Sequence, residues 1–210
     1  MTKLTNALAW RYATKKFDPT KKVSATDLES ILEAGNLAPT AYGLQPFRIL
    51  KIENPDLRAK LREVSYGQAQ VTDAGTLLLL ARRTDLNEAY VTDYIDRISE
   101  VRNMSNADLE GFKATMVGDI TARDDESKSA WAGRQAYIAL GTMIAQASEL
   151  EIETAPMEGF DNKKVDETLE LKELNLESVA YLALGYRDQM DTFGKLKKVR
   201  LPIEKLIITK

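Results

Sequence analysis

The sequence predicts a mixed α+β fold in which helices predominate and about four or five strands form the sheet. Apolar residues recur at helical spacing along several stretches, as expected for amphipathic helices that cover a core. The run Leu77–Leu80 has no polar face, which is typical of a central strand buried on both sides. The chain has 210 residues, 44% of them hydrophobic, which suits a single domain over residues 1–210.

The first half of the chain is predicted to alternate helices with two strands. A short helix over residues 5–10 precedes a basic segment. Ser24 is a suitable N-cap for a second helix, which Pro39 must stop. Further segments follow in order: a strand over 47–52, a helix over 56–65, a polar connection over 66–71 and a strand over 76–82.

The second half begins with a charged, helix-favouring excursion over about 87–126, interrupted near 104–106, which we expect to cover the core or extend the subunit. The next helix, 127–150, is apolar on nearly all faces and must therefore be buried. It could form the core of one chain or, since Gly141 and Ala145 allow close approach, the centre of a dimer. A strand over 154–157, a helix over 162–169 and a strand over 176–184 follow.

The C-terminal arm, about 201–210, is apolar and follows a basic loop. Burying each of its large side chains is worth roughly 1.5–3 kcal/mol. We therefore expect the arm to add as a strand to its own sheet or to that of a partner.

Two residue types are absent: the chain contains no cysteine and no histidine. Disulfides, thiolate nucleophiles, Ser-His-Asp triads and Cys- or His-ligated zinc are therefore excluded, and we assign no metal site. Any enzyme chemistry must come from carboxylates, Lys, Tyr or a bound cofactor. The net charge of −3 argues against a nucleic-acid partner.

The apolar runs are short. No signal-peptide run occurs in residues 1–20, and the longest apolar run, 77–81, is far too short to span a bilayer. We expect a cytoplasmic protein with no membrane partner.

Two basic segments and one restricted loop are candidate binding elements. Arg11 with Lys15, and Lys198 with Arg200, could together hold a phosphate monoester, although either pair alone is more often a solvated surface. The loop 37–47 contains two prolines and Gly43, so it cannot be helical throughout and is most simply a turn. Glycine-rich dinucleotide and Walker motifs are absent, so an anion site must be built from side chains.

Four segments in order, 11–18, 38–46, 156–161 and 198–202, resemble the FMN-dependent nitroreductase family, in particular its oxygen-insensitive NAD(P)H nitroreductase branch with dihydropteridine-reductase-like enzymes. The resemblance covers essentially the whole chain. It implies a nitroreductase-like α+β fold with a central, mainly antiparallel sheet surrounded by helices. It also implies an intertwined homodimer that exchanges the C-terminal strand and binds one FMN at each of two interfacial sites.

The resemblance also implies roles for individual residues. Arg11, Lys198 and Arg200 should hold the FMN phosphate, and Gln70 should lie at the pyrimidine edge. Thr40 should contact the same FMN, whereas Ala41, Gly43 and Gln45 should come from the partner subunit. The remaining residues are expected to line the ribityl and pyrimidine side (Tyr12, Ala13, Lys15) or to cover one ring face (Pro156, Met157, Glu158, Gly159), with a backbone N–H near flavin N5.

Some positions depart from the family pattern. Ala13 stands where a Ser is frequent, and Gly43 replaces an Asn of the best-known branch. The segment that often carries aromatic residues over the substrate has Met116 and Val117 here, with Phe112 upstream. These departures concern contacts to the cofactor and the range of substrates.

The function implied by the resemblance is a ping-pong reaction in which NADH or NADPH reduces FMN at N5 and a small acceptor, such as a nitroaromatic or a quinone, then reoxidises it. No side chain is assigned as catalytic. Three alternatives stay open: a narrower reductase for pterins or free flavins, a flavin-binding or storage protein without turnover, and a purely structural dimer.

Overall fold

The computed structural model describes residues 2–210 and is built on one four-stranded antiparallel sheet. The strand order is β1-β2-β4-β3. The bounds are Phe47–Ile52 for β1, Thr76–Arg83 for β2, Glu153–Met157 for β3 and Leu176–Gly185 for β4. The α+β class, the antiparallel sheet and all four strands predicted from the sequence are thereby confirmed.

Strands β2 and β4 form the middle of the sheet and separate two apolar cores. Leu77 and Leu79 pack into one core, whereas Leu78 and Leu80 pack into the other. All four leucines are fully buried. The alternation is the ordinary two-residue period of a strand, and the absence of a polar face reflects cover on both sides.

Nine helices are described, and most begin at a capping side chain. Ser24 accepts a hydrogen bond from the Asp27 amide at 3.1 Å, and Asn54 and Asp161 cap two other helices in the same way. The bounds are Lys3–Trp10 (α1), Ala25–Asn36 (α2), Pro55–Glu63 (α3), Gln70–Asp73 (α4), Glu88–Arg102 (α5), Asn106–Thr121 (α6), Asp125–Glu149 (α7), Asn162–Thr168 (α8) and Ile203–Leu206 (α9).

Most predicted bounds differ from the observed ones by one or two residues, and two of the differences have a clear cause. The polar connection over 66–71 contains the start of α4, a single turn too short to produce a periodic pattern. Helix α7 begins at Asp125 because Asp124 caps it, accepting from the Ser127 amide at 2.8 Å. The helical excursion therefore ends before 124.

The excursion consists of α5 and α6, which meet at the predicted interruption. Asn103 adopts a left-handed conformation with φ 53° and ends α5, and Ser105 caps α6. The two helices have a small core of their own with the start of α7, including Ile95, Met116 and Trp131. The excursion is thus more than a cover.

Helix α7 is buried on one face only within its own chain, which favours the second of the two alternatives, a helix at the centre of a dimer, over a helix covered by one chain. Ala139, Leu140 and Met143 are in the core beside α2 and the sheet. Tyr137 and Ile138 are 40% and 42% exposed. This apolar exposed face leaves room for a second copy of the chain.

The C-terminal arm forms no strand within residues 2–210, so the prediction that it joins its own sheet is wrong. It begins with the single turn α9, closed by a hydrogen bond of 3.0 Å from the Ile207 amide to the Ile203 carbonyl. Its apolar side chains are exposed, Ile208 by 82%. Exchange of the arm with a partner stays a prediction. Within residues 2–210, every helix falls short of the length and apolar character that crossing a membrane requires.

Candidate cofactor site

Two basic segments, distant in sequence, cross at the end of α1. Lys198 Nζ donates to the Leu8 carbonyl at 2.6 Å and to the Arg11 carbonyl, and so caps the C-terminus of α1. Burial and the nearby charge of Arg200 lower the pKa of Arg11. Burial and the charges of Arg11 and Arg200 lower the pKa of Lys198. The three predicted phosphate ligands therefore lie close together, and we call them the cation cluster.

The cation cluster has hydrogen-bond donors without partners within residues 2–210, so it can bind an anion. None of its members forms an ion pair within residues 2–210. Arg11 Nε is buried and finds no hydrogen-bond partner among them. Lys198 uses two of its three donors on carbonyl oxygens, so one remains. A buried, unpartnered guanidinium N–H among mutually repelling cations fits a phosphate group.

The segment that follows Arg11 runs along strand β3. Ala13 forms a parallel bridge with Thr154, and the Thr14 amide donates to the Thr154 carbonyl at 3.1 Å. The Thr14 hydroxyl donates to the buried Glu153 carboxylate at 2.5 Å. These contacts place Tyr12 and Ala13 beside the strand that leads to Pro156.

Tyr12 is stacked beneath the guanidinium of Arg187, whose Cζ lies 4.6 Å from the ring centroid. Arg187 also donates from Nε to Glu153 Oε1 at 2.7 Å. Burial, with the carboxylates of Asp191 and Glu153 nearby, raises the pKa of Tyr12 to about 12. The phenol is therefore neutral at physiological pH.

The end of β3, with Pro156 and Met157, and the turn after it, with Glu158 and Gly159, contain the four residues predicted to cover the flavin ring. Met157 is buried, and the amides of Glu158 and Gly159 find no acceptor within residues 2–210. The Gly159 carbonyl accepts from Gln68 Nε2 at 2.6 Å. A Cβ at position 159 would lie 2.8 Å from the same nitrogen, so a larger residue there would make the Gln68 side chain shift and would disturb this hydrogen bond.

Gln70 lies at the start of α4, two residues beyond Gln68, and is buried. The connection that leads into α4 is thus joined to the turn after β3 through Gln68. In the same turn the Glu158 carboxylate accepts a hydrogen bond from the Tyr137 hydroxyl on α7.

The loop with Thr40, Ala41, Gly43 and Gln45 is anchored elsewhere. Gln135 on α7 accepts from the Ala41 amide at 2.9 Å, and Gln45 Nε2 donates to the Asn36 carbonyl at 2.8 Å. The Tyr94 hydroxyl donates to the Tyr42 carbonyl at 2.8 Å. Tyr42 and Gly43 have φ values of 61° and 75°, so the loop holds a left-handed conformation at two consecutive residues.

Helix α7 separates the loop from the turn after β3. Its residue Gln135 contacts the loop, whereas Tyr137 contacts Glu158. Residues two apart on an α-helix point in roughly opposite directions. One chain therefore brings together the cation cluster, the segment beside β3 and the turn after it, but keeps the loop on the other side of α7.

Several residues of the site were missed from the sequence: Gln68, Tyr137, Glu153, Arg187 and Asp191. None lies in a motif, and each acts through a contact that the sequence does not reveal. The only available signal was polarity, next to a predicted strand end for Glu153 and Arg187 and within a glycine-containing connection for Gln68. Tyr137, on a helix, and Asp191, in a loop, gave no signal.

Comparison with known proteins gives the family. The model of the nitroreductase family matches residues 8–186. "Putative NAD(P)H nitroreductase YfkO" of Bacillus subtilis is 36% identical over 197 residues, which covers 89% of both chains. "Putative NAD(P)H nitroreductase SH0546" of Staphylococcus haemolyticus is 37% identical over 210 residues, covering 96% of this chain and 94% of the other. The chain belongs to the nitroreductase family of oxidoreductases, which confirms the family and the enzyme class predicted from the sequence.

Solved structures show the same fold. The nitroreductase ydfN of Bacillus subtilis superposes with a TM-score of 0.88 at 20% identity and 98% coverage of both chains. A nitroreductase of Exiguobacterium sibiricum, solved in complex with FMN, gives a TM-score of 0.83 at 18% identity, with 100% of this chain and 98% of that chain covered. The predicted nitroreductase-like fold is thereby confirmed.

Proposed function

We propose that this protein is an FMN-dependent NAD(P)H oxidoreductase that works as a homodimer by a ping-pong reaction. The observation that carries the proposal is the cation cluster, in which Arg11 keeps a buried, unpartnered N–H. A phosphate monoester supplies the negative charge and the acceptor oxygens that such a cluster lacks. The nicotinamide donor is inferred from the names of the curated relatives, and FMN is inferred from the solved complex.

The remaining contacts of the flavin are proposed from the family resemblance, and the geometry of the chain supports them. Tyr12, Ala13 and Lys15 line the ribityl and pyrimidine side because their segment runs beside β3. Gln70 lies at the pyrimidine edge. The turn Pro156, Met157, Glu158 and Gly159 covers one face of the ring, and its two amides without acceptors are available to flavin N5.

A second copy of the chain completes each site in this proposal. Thr40 contacts the flavin, and Ala41, Gly43 and Gln45 reach it from the partner subunit. The support is the position of their loop across α7 and the exposed apolar face of that helix. The single-domain organisation and the cytoplasmic location are part of the same proposal.

FMN, when bound, supplies the redox chemistry by accepting a hydride from NADH or NADPH and returning electrons to a nitroaromatic, a quinone or a related small acceptor. The chain supplies position and charge. The cation cluster holds the phosphate, and its positive charge favours an anionic cofactor. Tyr12, with a pKa of about 12, stays protonated at neutral pH and cannot act as a base. We assign no side chain as general acid, so solvent provides the proton.

The proposal is tested by the visible absorbance spectrum of the purified protein before and after anaerobic addition of NADH or NADPH. We expect a yellow protein that bleaches with a reduced nicotinamide and recovers its colour with a quinone. Colour that neither nicotinamide bleaches would favour a flavin-binding protein without turnover. A colourless protein that takes up no FMN would contradict the proposal.

A further inference from the structure

A buried carboxylate joins the two segments that carry the cation cluster. Asp191 is only 4% exposed. Its Oδ2 accepts hydrogen bonds from the backbone amides of Lys15 at 2.7 Å and Lys16 at 2.9 Å. Its Oδ1 accepts from the Phe193 amide at 2.9 Å. One side chain thus binds an amide of its own loop and two amides that lie 176 and 175 residues before it in the sequence.

Neighbouring contacts show that the same two segments run side by side. Phe17 and Arg187 form an antiparallel bridge, and the Asp188 amide donates to the Lys16 carbonyl at 3.0 Å. Arg11 lies on the first segment, whereas Lys198 and Arg200 lie on the continuation of the second. The relative position of the two segments therefore sets the distance between the members of the cation cluster.

The cation cluster needs such a connection because its three positive charges repel one another. Burying a carboxylate is costly unless its oxygens are hydrogen-bonded. The oxygens of Asp191 accept hydrogen bonds from three backbone amides and are not paired with a cation. It forms no ion pair within 4 Å among residues 2–210. The hydrogen bonds of the carboxylate thus go to the backbone, and the Tyr12 hydroxyl lies beside it.

We propose that Asp191 is a positioning residue for the cofactor phosphate, which it serves by locking the two basic segments together so that Arg11, Lys198 and Arg200 converge. The inference rests on the proposed function, since it takes the cluster to be the FMN phosphate site. Asp191 itself contacts neither the flavin nor the phosphate; it acts through the backbone.

The test compares FMN with riboflavin, which has the same ring and ribityl chain but no phosphate. In Asp191→Asn one acceptor oxygen is replaced by an NH₂ group, which must face a backbone N–H in either orientation of the side chain. We expect the dissociation constant for FMN, measured by flavin fluorescence, to rise about tenfold. The value for riboflavin should rise less, because riboflavin makes no contact with the cation cluster, so the preference for FMN falls.

Asp188→Asn is the matched control. Asp188 lies in the same loop, but its carboxylate accepts only locally, from the Met190 amide at 2.7 Å. This variant should keep the wild-type preference for FMN. The inference is overturned if Asp191→Asn, folded by circular dichroism, keeps that preference or weakens both flavins equally. A wild-type protein that binds neither flavin overturns the proposed function as well.

Hydrogen exchange on the wild-type protein gives a second test that needs no variant. Addition of FMN should slow exchange of the amides of Lys15, Lys16 and Phe193 together, and riboflavin should slow them less. Protection of Lys15 and Lys16 while Phe193 continues to exchange freely would show that the two segments are not locked, and would overturn the inference.

Discussion

Single residues decide how tightly the phosphate is held. Arg200 is an exposed member of the cation cluster and forms no ion pair within residues 2–210, so its remaining donors are free for an anion. Arg200→Ala should weaken FMN binding by about 1.5–3 kcal/mol, the range for hydrogen bonds to charged groups. Titration of the apoprotein with FMN at fixed salt measures the loss. Lys205→Ala, which removes a charge from α9 beyond the cluster, serves as control. An unchanged affinity would remove Arg200 from the site.

The ionisation of Asp191 links the same region to stability. Burial alone would raise the pKa of Asp191, but hydrogen bonds from the amides of Lys16, Lys15 and Phe193 lower it below its usual value. A carboxyl group with a depressed pKa in the folded state stabilises the fold above its unfolded pKa of about 3.9. This contribution is lost as the pH falls through the folded pKa.

We therefore expect the free energy of unfolding to fall as the pH is lowered below about 5. The fall should be less steep in Asp191→Asn. Urea denaturation at a series of pH values measures both slopes. Asp188→Asn should follow the wild-type slope more closely. Parallel slopes for the wild type and Asp191→Asn would show that other carboxyl groups dominate acid unfolding.

At the scale of elements, prediction from the sequence succeeded where a local signal exists. Strand β1 was predicted to the residue, and Ser24 caps α2 as expected. It failed where the outcome depends on partners distant in sequence or on a second chain. The C-terminal arm has the apolar pattern of a strand, yet within one chain it begins with a helical turn because no strand lies beside it there.

The same limit applies to the site. Arg11, Lys198 and Arg200 were predicted together through resemblance, and the structure brings them together. Asp191 and Gln68 were missed, since their role is to bind backbone atoms that lie far away in sequence. A polar residue in a loop gives no sequence signal for such a contact.

The C-terminal arm is the element whose role depends most on a second copy. Deletion of residues 203–210 should destabilise the homodimer, because it removes several large apolar side chains that are exposed in one chain and that the partner would bury. Full burial of each is worth roughly 1.5–3 kcal/mol. Sedimentation of dilution series measures the dissociation constant of the dimer. A chain that lacks only Lys210 should behave as the wild type. An unaltered constant in the longer deletion would contradict the exchange of the arm.

The whole molecule is expected to be a dimer in which each site takes the cation cluster from one copy and the loop 41–45 from the other. A substitution at Gly43 tests the contribution of the loop to this arrangement. Its φ is 75°, and a Cβ at this position would lie 2.5 Å from the Tyr94 hydroxyl oxygen. Gly43→Val should therefore distort the loop and reduce FMN binding, whereas Gly111→Ala, on α6 with open space around it, should not.

Mixed dimers distinguish a loop that serves the partner's site from one that serves its own. Arg200→Ala impairs the cation cluster and leaves the loop intact, and Gly43→Val does the reverse. If the loop crosses to the partner, a dimer of one copy of each variant contains one site in which both halves are intact and one in which both are impaired. FMN binding and NADH oxidation should then recover in part when the two impaired variants are unfolded and refolded together. If the loop serves its own chain, every site in the mixed dimer carries one lesion, and mixing restores nothing.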